Sequence, residues 1–166
     1  MTVRFELKKI GTDAIEPALE KAERYRLLND PEQAESICRD ILAVAEDNQQ
    51  AKRVLILALT DQFAANTSSS QVKLALDQAK SLSSEYERIY YEGIVHEREG
   101  RAYLAKNLAG HFAYECLHDA MDCFEKANEL EEAHHDDSIL RWNSCARTIM
   151  SHRLEPRGQE RELPGD

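Results

Sequence analysis

Punctuation constrains this chain most: it has only 6 Gly and 4 Pro, and two of each fall in the last eleven residues. With so few turn formers elsewhere, the remainder must form long regular stretches joined by short connections. Apolar residues recur at helical spacing through most of it, as in Val54, Leu55, Leu57, Ala58 and Leu59, a face wide enough to be covered on both sides. The chain is therefore expected to be all-α. Asp30, Pro31 and Gln33 give a helix start at 31, Ser84 and Glu87 form a capping box, and Asp137 is placed to cap a last helix. The helices expected are 13–28, 31–46, 49–64, 70–82, from 85 to near Gly100, 111–132 and 138–152, with Asp13 and Glu16 opening the first and 101–109 either prolonging the fifth or standing alone.

Two ends differ from this body. Val3, Phe5 and Leu7 alternate with Thr2, Arg4 and Glu6, a period of two that fits a short strand. It can pair with a second copy or a bound peptide, or lie as an extended arm (residues 1–12) with its apolar side on the helices. Residues 153–166, with their Pro, Gly and alternating charges, are expected to be a disordered tail. Between them, 13–152 reads as one helical domain.

Composition excludes several function classes. With 21 Lys plus Arg against 31 Asp plus Glu, the net charge is −10, and that field opposes nucleic-acid backbones and anionic membranes. No apolar run approaches the length of a bilayer span, and the charges at Arg4, Glu6, Lys8 and Lys9 interrupt any leader-like apolar core, so a cytoplasmic protein is expected. Cys38, Cys116, Cys123 and Cys145 have no metal-ligand spacing and read as small buried thiols. No phosphate-binding glycine loop, nucleophile elbow or zinc-protease motif occurs, so neither an enzyme nor a cofactor is expected.

Three segments share one pattern, a small residue followed four and seven positions later on the same helical face: Ala34, Cys38, Ile41; Ala75, Ala79, Leu82; and Ala120, Phe124, Ala127. This resembles the tetratricopeptide repeat family, whose unit is a 34-residue helical hairpin. One unit starting at Ile15 places Ala22, Tyr25, Asn29, Asp30, Ala34, Cys38 and Ile41 on the pattern. A second, from Gln49, carries Leu55, Ile56 and Leu59 and needs about seven extra residues before Ala75. A third, from Tyr86, matches at Gly93 and Gly100 and resumes at Ala120 after an insertion of about fifteen residues. Trp142, Cys145, Ala146 and Ile149 then begin a terminal capping helix.

The resemblance implies a solenoid of antiparallel helical hairpins, about three and a half repeats long, that holds a peptide or helical segment of another protein in a concave groove. Its groove positions fall on Glu23, Arg26, Arg53, Leu57, Tyr90, Ile94, Glu97, Asn143 and Arg147. The Lys and Asn pattern of the family's carboxylate clamp is absent from these positions, so capture of an acidic C-terminal chaperone tail is not expected. An adaptor or chaperone-like scaffold is the function implied.

Two other readings compete with it. His111, Glu115, His118 and Asp122 are spaced four, three and four along one helical face, a donor set that suits transition metals. Glu115 and His118 have the spacing of di-iron bundle ligands, which Glu131 and His134 repeat, although the usual meaning is a polar helix face. A structural homo-oligomer joined through Val3, Phe5 and Leu7 is the other. The stretch 122–137 is strongly acidic, seven Asp or Glu against Lys126 alone, and reads as a solvated face.

Overall fold

A computed structural model describes residues 2–108, 110–130 and 135–158. Seven α-helices account for most of the described residues, and no strand occurs among them. They are α1 (Ile15–Leu27), α2 (Pro31–Val44), α3 (Gln49–Asp61), α4 (Ser69–Lys80), α5 (Glu85–Ala105), α6 (Gly110–Leu130) and α7 (Asp137–Ser151), with a 3-10 turn at Thr12–Ala14. The chain divides into two compact units, Met1–Leu59 and Thr60–Asp166.

In the first unit, α1 and α2 form a hairpin. Asp30 caps α2, accepting a hydrogen bond from the Gln33 amide at 3.4 Å, and Asn48 caps α3 through the Ala51 amide at 2.9 Å. Ala22 and Ala34, both fully buried, remove side-chain bulk within the hairpin. Leu19, Ile41 and Ala51 form a cluster that Ile10, Ile15, Ala18, Ile37 and Leu42 cover. Burial of Val54, Leu55, Ile56, Ala58 and Leu59 runs round most of α3, as its wide apolar face requires.

Residues 2–11 are extended without a ladder. Val3, Phe5 and Leu7 are 73–85% exposed, so the apolar side of the arm does not lie on the helices as one of the expected arrangements had it; Ile10 alone reaches the cluster. Charges alternate with the apolar residues, and a lone strand has no hydrogen-bond partner to hold it. Asp13 does not cap α1 either: it sits within the 3-10 turn, and α1 begins without a side-chain cap.

In the second unit, α5 packs against α4 and α6, and α6 against α7. Ser68 and Ser84 cap α4 and α5 through the amides of Gln71 and Glu87, at 3.3 and 3.2 Å. Gly100 does not end α5, which continues to Ala105. Gly93 and Gly100 instead form a notch, seven residues apart on one face. A Cβ on Gly93 would lie 2.7 Å from the Phe124 ring and 3.0 Å from the Cys123 Cβ, and one on Gly100 would lie 3.1 Å from Cys116 and Leu117. The backbone of α5 therefore lies directly on α6, over the fully buried stripe Ala113, Leu117, Ala120, Phe124 and Ala127. The stretch 101–119 lengthens both arms of this hairpin, closing α5 and opening α6. At α7 the residue before the helix is Asp136, at φ 60° and without a side-chain cap bond, while Asp137 is already helical. Residues 154–158 carry no helix, and the rest of the expected tail lies outside the described residues.

Candidate functional site

One cleft of about 450 Å³ concentrates charge in the second unit. Thr60, Asp61 and Ala64 line it from the end of α3 and the following turn, Glu97, Arg98, Arg101 and Ala102 from α5, and Arg141 and Ser144 from α7. Its floor is Glu97, only 2% exposed. Arg141 Nη1 donates to Glu97 Oε2 at 2.9 Å, Arg101 Nε lies 3.7 Å from the same oxygen, and the Cys145 thiol donates to Oε1 at 3.4 Å. A buried carboxylate needs such partners, because desolvation penalises an unpaired charge heavily.

The arginines are held as well as charged. Arg101 donates to Thr148 Oγ1 at 3.0 Å and Ser144 Oγ at 2.9 Å, both on α7. Arg98 donates to Asp61 Oδ1 at 2.8 Å. Burial works against the Arg141 charge, but the Glu97 carboxylate and the Tyr90 hydroxyl outweigh it and raise its pKa further above the ordinary guanidinium value. Three guanidiniums, each about one-third exposed, thus meet two carboxylates, a local positive surplus in a chain of net charge −10. Their planar forks suit one further carboxylate.

Of the groove residues expected from sequence, Glu97 lines this cleft. Ile94 is 1% exposed and belongs to the core. Tyr90 lies half-buried among Tyr86, Tyr91 and Phe124, with ring centroids 5.3–5.7 Å away. Asn143 is half-buried and Arg147 exposed, yet α7 turns Arg141, Ser144 and Thr148 toward α5, one position off the expected register. In the first unit, Glu23 is exposed and accepts a hydrogen bond from Gln50 at 3.2 Å, and Arg26, Arg53 and Leu57 are half-buried. Arg98, Arg101 and Arg141 carry the cleft without standing among the expected positions. The one signal for them was the four-residue spacing of Glu97 and Arg101.

The histidine face does not assemble as one site. His118, Asp119 and Asp122 come together at the exposed surface, with His118 Nδ1 3.6 Å from Asp122 Oδ2. His111 stands beside Phe112, two turns and about 10 Å along the axis from His118, and His111 and Glu115 are not in that group. Glu131 and His134 lie outside the described residues. All four cysteines are free thiols, and burial first of all pushes each up to about 12, the reverse of an activated nucleophile. Among the described residues, no helix is long and apolar enough to cross a membrane.

No known family model matches the chain, and neither a curated protein nor a solved structure matches it.

Proposed function

We propose that the protein is a non-catalytic scaffold of tetratricopeptide-like helical hairpins, and that the arginine cleft receives a partner-protein segment presenting an Asp or Glu side chain. The observation that carries this reading is the convergence of Arg98, Arg101 and Arg141 on a cleft containing only two carboxylates. Its bonded arginines have little rotamer freedom left to lose on binding, which favours recognition of a peptide carboxylate. Thiols of raised pKa and carboxylates committed to ion pairs support a binding role over a catalytic one. A cytoplasmic setting suits four free thiols.

End-capped, fluorescein-labelled octapeptide pools with a central Glu-Glu, and matched pools with Gln-Gln, test this by anisotropy. The Glu pool is expected to bind at least tenfold more tightly, from a charge-assisted hydrogen bond worth about 1.5–3 kcal/mol, and to weaken with added salt. Arg98→Gln and Arg101→Gln should each remove most of the preference while keeping the helical circular dichroism. Equal binding of the two pools, or a preference untouched by either substitution, contradicts the assignment.

A further inference from the structure

The α5–α6 hairpin brings together a second set of polar side chains, remote from any use the cleft makes of them. Glu92 and His96 are one turn apart on α5, and Cys123 faces them from α6; one ligand atom of each lies within 4.8 Å of the other two. All three residues are half-buried. His96 Nε2 stands 3.7 Å from Glu92 Oε1, too long for a hydrogen bond and close to the separation of two ligands on one ion. The glycine notch is what makes this possible: with no side chain on Gly93, the Cys123 Cβ comes within 3.0 Å of where a Cβ on Gly93 would stand.

We propose that Glu92, His96 and Cys123 form a binding site for a zinc-class divalent cation, with water in the fourth position. Sulfur, imidazole nitrogen and carboxylate oxygen together are the donor set that borderline-soft Zn²⁺ accepts. Tetrahedral bonds of about 2.0–2.3 Å place ligand atoms about 3.3–3.7 Å apart, close to the present separations of at most 4.8 Å. Asp119 and Asp122 add negative charge beside Cys123, opposed only in part by Lys126. Two packed helices supply the ligands, so a bound metal would tie α5 to α6. This site shares no residue with the exposed His118, Asp119 and Asp122 group, which has no sulfur.

Titration of the reduced, full-length protein with Co²⁺ alone reads the site directly, because a thiolate ligand gives a near-ultraviolet charge-transfer band. One Co²⁺ per chain with that band, displaced by equimolar Zn²⁺, is expected. Cys123→Ser should abolish the band, and Glu92→Gln and His96→Gln should each weaken Co²⁺ binding at least tenfold, while Cys116→Ser and His118→Ala leave both unchanged. Retained helical circular dichroism at the same temperature separates ligand loss from unfolding. Absence of the band in the folded wild-type protein, its survival in Cys123→Ser, or its loss in Cys116→Ser or His118→Ala overturns the assignment.

Discussion

Glu97→Ala is expected to destabilise the second unit by about 3 kcal/mol, the lower end of the cost of breaking a buried ion pair. The lower end applies because Arg141 keeps 32% of its side chain in contact with solvent and can recover some hydration once its partner is gone. The substitution removes the carboxylate that accepts from both the Arg141 guanidinium and the Cys145 thiol, leaving Arg141 the Tyr90 hydroxyl. It also strands Arg101, held afterwards by two hydroxyls alone. The double variant Glu97→Leu with Arg141→Met should cost less than Glu97→Ala, since it leaves one guanidinium without its carboxylate, the 36% exposed Arg101, in place of two. Trp142, the only tryptophan in the chain, adjoins Arg141 on α7, so urea unfolding followed by its fluorescence reports on this unit. A loss below about 1 kcal/mol for Glu97→Ala would show that the carboxylate is not the anchor of the cleft.

Phe124→Ala is expected to cost about 3–5 kcal/mol, the usual range for emptying a fully buried aromatic site. Phe124 fills the notch left by Gly93 and packs against the Tyr90 ring, whose centroid is 5.7 Å away. Both neighbours lie on α5, so the loss falls on the α5–α6 contact. Gly93→Ala in the wild-type chain forces its methyl to within 2.7 Å of the same ring, a collision that outweighs the roughly 1 kcal/mol of helix propensity it gains. In the Phe124→Ala background the ring is absent while the Cys123 Cβ still stands 3.0 Å from the new methyl, so Gly93→Ala should cost clearly less than in the wild-type chain. The four chains form a double-mutant cycle by urea denaturation, and additive effects would contradict a direct Gly93–Phe124 contact.

The helical architecture was legible because its signals are local. Asp30 and Ser84 accept amide hydrogen bonds at the helix starts expected of them, and the Ala120, Phe124, Ala127 stripe is buried throughout. Gly100 misled because a glycine within a helix carries two meanings, a stop or a close approach, and only the facing helix decides between them. The arm misled for a related reason: alternation states which residues share a side and not whether anything covers that side. The cleft was hardest to read. Glu97 stood at an expected groove position, but Arg98 and Arg101 depend on how α5 is rotated, and Arg141 on a one-residue change of face along α7. A helix turns about 100° per residue, so an error of one position moves a side chain from a groove to its rim. Glu92 and His96 share a helical face by their four-residue spacing, but only the packing of α5 on α6 brings Cys123 to them, and no sequence spacing marks that.

On the proposed function, Arg98, Arg101 and Arg141 together receive a carboxylate-bearing segment. Nuclear magnetic resonance of the arginine Nε–H groups, recorded while the end-capped Glu-Glu peptide is added, tests it most directly. Saturable shifts are expected at Arg98, Arg101 and Arg141, with Arg24, Arg39 and Arg147 unmoved and the Gln-Gln peptide producing none. Shifts confined to arginines outside the cleft, or equal for the two peptides, would contradict it.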